Sequence, residues 1–210
     1  MNIDTLIPIV IFVLAAVVIT AIAVIQGRNA KTNLTQVGDK LGLRLDVQGS
    51  FFKKYRLVGE LRGKTVEFFS YTTGSGKSQQ RWVAIAVGVK GTSGLTFSLK
   101  RRMSIFEFIV RLFRKNSVET GDAAFDKAWV LTTNQPDFMC AALLEEMREK
   151  ILRLSGGGLS SANYKHEFHT VQYSEQGSFG SAKLCARFEE ISELLCDLAD
   201  VAEVYAEVKK

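Results

Sequence analysis

The run Leu6–Ile25 constrains this chain more than any other feature. It holds twenty residues without a charge, and only Pro8 and Thr20 depart from its apolar pattern. At 1.5 Å of rise per residue, a helix of that length spans roughly 30 Å, the thickness of a bilayer's hydrocarbon. A cleaved signal peptide would want a basic segment ahead of a shorter apolar core. Here Met1-Asn2-Ile3-Asp4-Thr5 precede it, with an acid and no base. The expectation is therefore an uncleaved single-pass anchor over residues 1–27 and a soluble domain over 28–210. Pro8 falls in the first turn, where its missing N–H does little harm. No second stretch is long and apolar enough to cross, so a multi-span channel is excluded.

All 27 Lys and Arg residues follow this run, with Arg28 and Lys31 directly behind it. The positive-inside rule then places the C-terminal domain in the cytoplasm. Cys140, Cys185 and Cys196 are odd in number and lack metal-type spacing, which fits reduced thiols in a cytosolic compartment.

Net charge is +5, yet the two halves differ sharply. Residues 28–118 carry 18 bases against 5 acids, whereas residues 119–210 carry 9 against 16. The basic half is the one tethered beside the bilayer. Its densest spots are Lys53-Lys54-x-Arg56 and Lys100-Arg101-Arg102. The second leads into Met103–Lys115, MSIFEFIVRLFRK. Read as a helix, that stretch puts Ile105, Phe106, Ile109, Leu112 and Phe113 on one side, with Arg111, Arg114 and Lys115 at the polar margin. Such a helix either lies on anionic lipid, with aromatics down and bases at the headgroups, or packs its apolar face into a core. The candidate membrane-surface contacts are thus Lys100, Arg101, Arg102, Phe106, Arg111, Phe113, Arg114 and Lys115. No helix-turn-helix, zinc-finger or RNA-stacking signature accompanies the bases, so nucleic acid is not the expected partner.

Residues 32–42 read as a short helix with Leu34, Val37 and Leu41 on one face and Gly42 as its stop. β patterns follow at Tyr55–Leu61, Lys64–Tyr71, Arg81–Val89 and Leu95–Leu99. Arg62-Gly63 turns the first pair, and the spacing suggests an antiparallel meander. Ala128–Thr132 reads as a short strand. Gln135–Leu154 reads as a helix with Pro136 near its start, and Leu159–Tyr173 as one bent strand or a strand pair. The last helix begins near Ser181. Its residues Leu184, Phe188, Ile191, Leu195, Leu198, Ala202 and Tyr205 form a heptad seam. Such a seam packs on a sheet or another helix, or joins a protein partner or second copy as a coiled coil. The fold class is α+β: an N-terminal transmembrane helix, an antiparallel sheet with helices mainly on one face, and a long C-terminal helix.

The catalytic motifs fail in turn. Gly74-Ser75-Gly76-Lys77-Ser78 invites a phosphate-loop reading, but Tyr71 stands where the first glycine belongs and a β pattern follows where a helix should. Asp122 and Asp126 would share a helix face as an acid/base pair, the basis of the enzymatic alternative, a membrane-bound hydrolase. Their structural reading is a cap at Asp122, a core plug at Phe125 and an ion pair from Asp126 or Glu119 to a base such as Lys127. His166 and His169 fall on opposite faces of a strand and make a poor metal pair. No cofactor, metal or catalytic residue is assigned.

The order Val118-Glu119-Thr120-Gly121-Asp122-x-x-Phe125-Asp126, then a strand and a helix, together with Leu41-Gly42-Leu43, resembles a group of bacterial single-pass, membrane-anchored proteins without assigned activity. The resemblance covers most of residues 34–200. It implies a protein of the inner membrane and carries over no catalytic residue. The leading expectation is a membrane-anchored cytoplasmic binding or scaffolding module whose basic, membrane-proximal surface faces anionic lipid. An uncleaved anchor predicts an intact N-terminus by mass spectrometry of the membrane-extracted protein, and a mature start near Val24 would refute it.

Overall fold

The computed structural model describes residues 3–49, 54–91, 94–102, 117–156, 161–165 and 169–208. It is an α+β fold. The first helix, α1, runs unbroken from Ile3 to Leu41, 39 residues. The apolar run and the expected short helix over 32–42 are one element, because nothing between Gln26 and Lys31 stops a helix. From Val10 to Ile25 the side chains of α1 are exposed, and the helix is long and apolar enough to cross a membrane. Farther along the same helix, Leu34, Val37 and Leu41 are buried in the core. Gly42, at φ 67°, ends it. The Leu43 N–H then donates to the Gly38 carbonyl at 2.8 Å, closing a Schellman turn. A Cβ at Gly38 would lie 2.8 Å from the Leu43 oxygen and 3.0 Å from Leu57 Cδ2, so only glycine lets α1 sit this close.

Nine strands form one antiparallel sheet: β1 (Arg44–Gln48), β2 (Lys54–Leu61), β3 (Lys64–Thr73), β4 (Gln80–Gly88), β5 (Thr96–Arg101), β6 (Ser117–Val118), β7 (Trp129–Thr133), β8 (Ser161–Lys165) and β9 (Thr170–Gln176). Their order is β1-β2-β3-β4-β9-β8-β5-β7-β6. The first four form the expected meander with β1 added. Arg62 and Gly63, both at positive φ, make the two-residue turn between β2 and β3. The Gly74–Ser78 loop joins antiparallel β3 and β4, as a hairpin loop and not a phosphate loop. The expectation that β4 neighbours β5 does not hold. The β8–β9 hairpin stands between them, with β9 on β4 and β8 on β5.

One face of the sheet is apolar: Leu57, Phe68, Val83, Ile85, Val171, Tyr173, Tyr164, Leu99 and Leu131 are buried on it. The other carries half-buried Ser98, Thr132, Asn163 and Gln172. The helices α2 (Ala123–Ala128), α3 (Pro136–Ala142), α4 (Glu145–Gly156), α5 (Ala182–Cys185) and α6 (Phe188–Val208) complete the fold. The helix expected over Gln135–Leu154 breaks at Leu143-Leu144, where the Arg148 guanidinium takes up the freed Leu143 carbonyl. The last helix does start at a Ser181 cap, then steps from α5 to α6. Its heptad seam, Leu184 to Tyr205, is buried and packs on the sheet at β4 and β9. Phe188 meets Phe68 and Phe179 with ring centroids 5.6 and 5.9 Å apart. The seam is consumed by the core, so it leaves nothing for a coiled coil.

Acids on the outer flank of α6 meet bases from the β2–β3 turn. Arg62 reaches Asp197 at 2.6 Å and Asp200 at 2.8 Å. Lys64, only 5% exposed, reaches Asp200 at 2.9 Å and Glu203 at 2.5 Å. Glu203 also accepts the Lys90 N–H at 2.8 Å. Burial alone would lower the Lys64 pKa, but its bonds to Asp200 and Glu203 outweigh burial and raise it. Burial alone would raise the Glu203 pKa, and Lys64 with the Lys90 N–H outweighs it and lowers it. The contribution of Glu203 is therefore complete above an ordinary glutamate pKa of about 4.3 and is lost as pH falls through its folded value. That of Lys64 is complete below about 10.4 and is lost as pH rises through its folded value. Lys64→Ala should destabilise the detergent-solubilised full chain by about 2 kcal/mol in denaturant titrations, since it strands a part-buried carboxylate. Arg62→Ala, at an exposed site, should change it by no more than about 1 kcal/mol.

Candidate functional site

The apolar rows that build the core turn polar at one end of the sheet. On β2, Tyr55 is in phase with buried Leu57. On β3, Ser70 and Thr72 are in phase with buried Phe68. On β4, Arg81 is in phase with buried Val83 and pairs with Thr72 across the ladder. The helical face of α1 changes in the same way. Leu34, Val37 and Leu41 pack on the domain, and the same stripe continues upstream as Ala30, Gly27 and Ala23, too small to fill the space. The result is a cleft of about 740 Å³ where α1 leaves the domain.

Thr20, Ala23 and Val24, from the apolar run itself, form one wall of this cleft. The opposite wall is made by Tyr55, Ser70, Tyr71 and Thr72. Arg28, Lys54 and Arg81 stand around it, and no acidic side chain among the described residues lines it. None of these three bases makes an ion pair among the described residues. The loop Ser178–Ser181 closes the cleft from the side of α5. It is strapped to α1 by Asn33, whose Nδ2 donates to the Phe179 carbonyl at 2.8 Å. At Gly180 a Cβ would come within 3.3 Å of the Gln26 oxygen, so the loop lies directly against the helix.

Of the expected membrane contacts, Phe106, Arg111, Phe113, Arg114 and Lys115 lie outside the described residues. Lys100 and Arg101 end β5, exposed on opposite faces of the sheet. Arg102 is half-buried, and its N–H donates to the Ala128 carbonyl at 2.8 Å. The three therefore do not form one basic face. They do lie at the same end of the sheet as the cleft. The register links Arg81 and Trp82 at the start of β4 to Gln176 at the end of β9, and Ser161 at the start of β8 to Lys100 at the end of β5. Arg28, Lys54 and Arg81 were not singled out from the sequence as a set. The phase of Tyr55, Ser70 and Arg81 with the core rows was the signal that could have found Arg81.

Asp122 and Asp126 are divided by the turn that holds them. Asp122 caps α2, accepting the Ala124 and Phe125 N–H groups at 3.0 and 3.1 Å, and meets Arg148 Nε at 3.2 Å. The Phe125 N–H and Arg148 hold its carboxyl below the ordinary range, the reverse of a general acid. Asp126 turns back to the Thr120 N–H at 3.0 Å and the Gly121 N–H at 3.1 Å, rather than to Lys127. Asp126 lines a shallow recess with Arg102, Glu119 and Lys127, and Asp122 is not part of it. Phe125 is fully buried between them. Burial pushes the Cys185 thiol up to about 12 and the Cys196 thiol up to about 11, so neither is a ready nucleophile.

A second concavity, about 720 Å³, runs between α3, α4 and α6. Phe138, Leu144, Met147, Val201 and Val204 line it, and Leu144 and Val204 are exposed.

No family model matches this chain, and no curated protein matches it. Its fold is similar to the crystal structure of the mycobacterial trehalose monomycolate transport factor A, at 11% identity and a TM-score of 0.50. The match covers 84% of this chain and 93% of that one. At this identity the likeness is one of fold. If Asp122 is a cap, Asp122→Asn should melt close to the parent, because Asn caps as well as Asp, while Asp122→Ala should melt lower. The gap between parent and Asp122→Ala should narrow as pH falls below the ordinary aspartate pKa of about 3.9, where the depressed carboxyl loses its advantage.

Proposed function

We propose that this protein is a membrane-anchored binding or scaffolding module, held on the cytoplasmic side with its basic, cleft-bearing end against anionic lipid. The observation that carries the reading is the continuity of α1, exposed and apolar over Val10–Ile25 and buried in the core at Leu34–Leu41. A span joined to its domain by one helix cannot swing freely, so the strand ends beside Gln26–Ala30 stay near the bilayer. Bases at that end are attracted to anionic headgroups by roughly 1 kcal/mol each. The basic flank Arg28/Lys31 supports the cytoplasmic orientation. The fold likeness to a protein named as a transport factor fits binding better than catalysis. A protein partner or second copy would meet α6 through the groove at Leu144 and Val204, since the heptad seam is inside the core.

A C-terminal reporter should be active only in the cytoplasm, and periplasmic activity would overturn the orientation. In nanodiscs the full chain should show slower amide exchange at residues 54–56, 70–73 and 80–82 when anionic lipid is present. Raising salt should remove the difference, because exposed charges are screened over about 10 Å at 0.1 M. A flexible Gly-Ser insertion after Gln26 should abolish it without lowering the melting temperature of the domain. Equal exchange on neutral and anionic discs would reject the lipid-facing surface.

A further inference from the structure

We propose that the cleft beside α1 is a binding site for one anionic phospholipid, its phosphate held by Arg28 and Arg81 and its upper acyl chain against Ala23 and Val24. The inference rests on the reading of α1 as a bilayer span and goes beyond surface attraction, which needs no cleft.

Three features point to this class of ligand. The first is charge. Arg28 and Arg81 line one opening that no carboxylate among the described residues lines, whereas bases at the far end of the sheet are neutralised by α6. Convergent, uncompensated cations beside a low-dielectric wall repel one another unless an anion sits between them. The second is the mixed lining. Thr20, Ala23 and Val24 belong to the run that crosses the bilayer, so the cleft's apolar wall is continuous with the membrane's hydrocarbon. A soluble phosphoester would gain nothing from that wall, but an acyl chain would. The Ser70 and Thr72 hydroxyls opposite can donate to phosphate and glycerol oxygens. The third is size. About 740 Å³ accommodates a headgroup and the first methylenes of a chain, within the usual range of ligand sites.

The small residues of α1 supply the decisive test. A Cβ added at Gly27 would meet nothing within 4 Å, and Gly27 is not at a positive φ. Gly27→Leu therefore fills the cleft, keeps every base, and favours the helix. Full-length protein should be loaded with mixed phosphatidylglycerol and phosphatidylcholine in detergent and weighed by native mass spectrometry. The parent should retain one phosphatidylglycerol per chain in preference to phosphatidylcholine. Arg81→Gln should weaken retention about fivefold, and Arg28→Gln with Arg81→Gln about thirtyfold, taking about 1 kcal/mol per base near anionic lipid. Gly27→Leu should abolish retention at an unchanged melting temperature, while salt-dependent protection of the strand ends in anionic nanodiscs persists. Unchanged retention in Gly27→Leu would overturn the site and leave the lipid-facing surface standing. Loss of the nanodisc effect in the parent would instead overturn that surface reading. Displacement of the lipid by glycerol 3-phosphate or inorganic phosphate would show a soluble phosphoester site and overturn the lipid assignment. Equal retention of phosphatidylcholine would overturn the role of the two bases.

Discussion

The packing of Leu34, Val37 and Leu41 into the domain core governs the rest of this structure. These residues lie on the same helix that is exposed and apolar at Val10–Ile25, so one continuous element carries both the apolar run and a face of the core. A flexible linker after a membrane anchor would let the domain tumble, and no surface of it would have a fixed relation to the bilayer. Here Gly38 lets the helix approach β2, the Schellman turn at Gly42 ends it, and Asn33 ties it to the loop before α5. The 39 residues of α1 reach about 58 Å, and the exposed apolar part is long enough to cross roughly 30 Å of hydrocarbon. The remainder is a mast whose base is in the core.

That geometry gives meaning to the charge asymmetry of the chain. The excess of bases before residue 119 and of acids after it is not simply a basic face and an acidic face. Folding brings the acidic flank of α6 over the β2–β3 turn, where Arg62 and Lys64 are neutralised by Asp197, Asp200 and Glu203. Antiparallel strands have two ends, and at the end away from these acids Arg28, Lys54 and Arg81 form no ion pair among the described residues. The fold sorts one sequence-level excess into an internally compensated end and a basic end, and the basic end is where α1 departs.

Much of this was legible locally. Leu6–Ile25 declares itself by composition, Arg62-Gly63 by turn chemistry, Gly42 and Ser181 by capping, and the α6 seam by its period. Each depends on residues within a turn or two of one another. The order of the sheet was not legible, because placing β8–β9 between β4 and β5 depends on pairings between residues far apart in sequence. Nor was the break at Leu143, which relies on Arg148 reaching back to its carbonyl. Asp122 and Asp126 show the limit of spacing arguments. Their separation of four places both on one helical turn, yet the cap draws one carboxylate to α2 and Arg148 while Thr120 and Gly121 draw the other away.

The cleft escapes a motif search for the same reason. It draws on α1, on three strand ends and on one loop, and each segment contributes only one to several residues of ordinary type. What joins them is phase. A strand row reading Val83 then Arg81, or Phe68 then Ser70, is unremarkable alone, as is a helix stripe reading Leu34, Ala30, Gly27, Ala23. When all of these rows lose their apolar bulk at the same end of the same face, the core stops there and a space must open. Its position is fixed by where α1 leaves the sheet, and that is set by the same three residues that hold the helix in the core. Anchoring the domain and opening the cleft are thus two consequences of one packing arrangement: the helix that fills the core with leucine and valine below leaves it with alanine and glycine above.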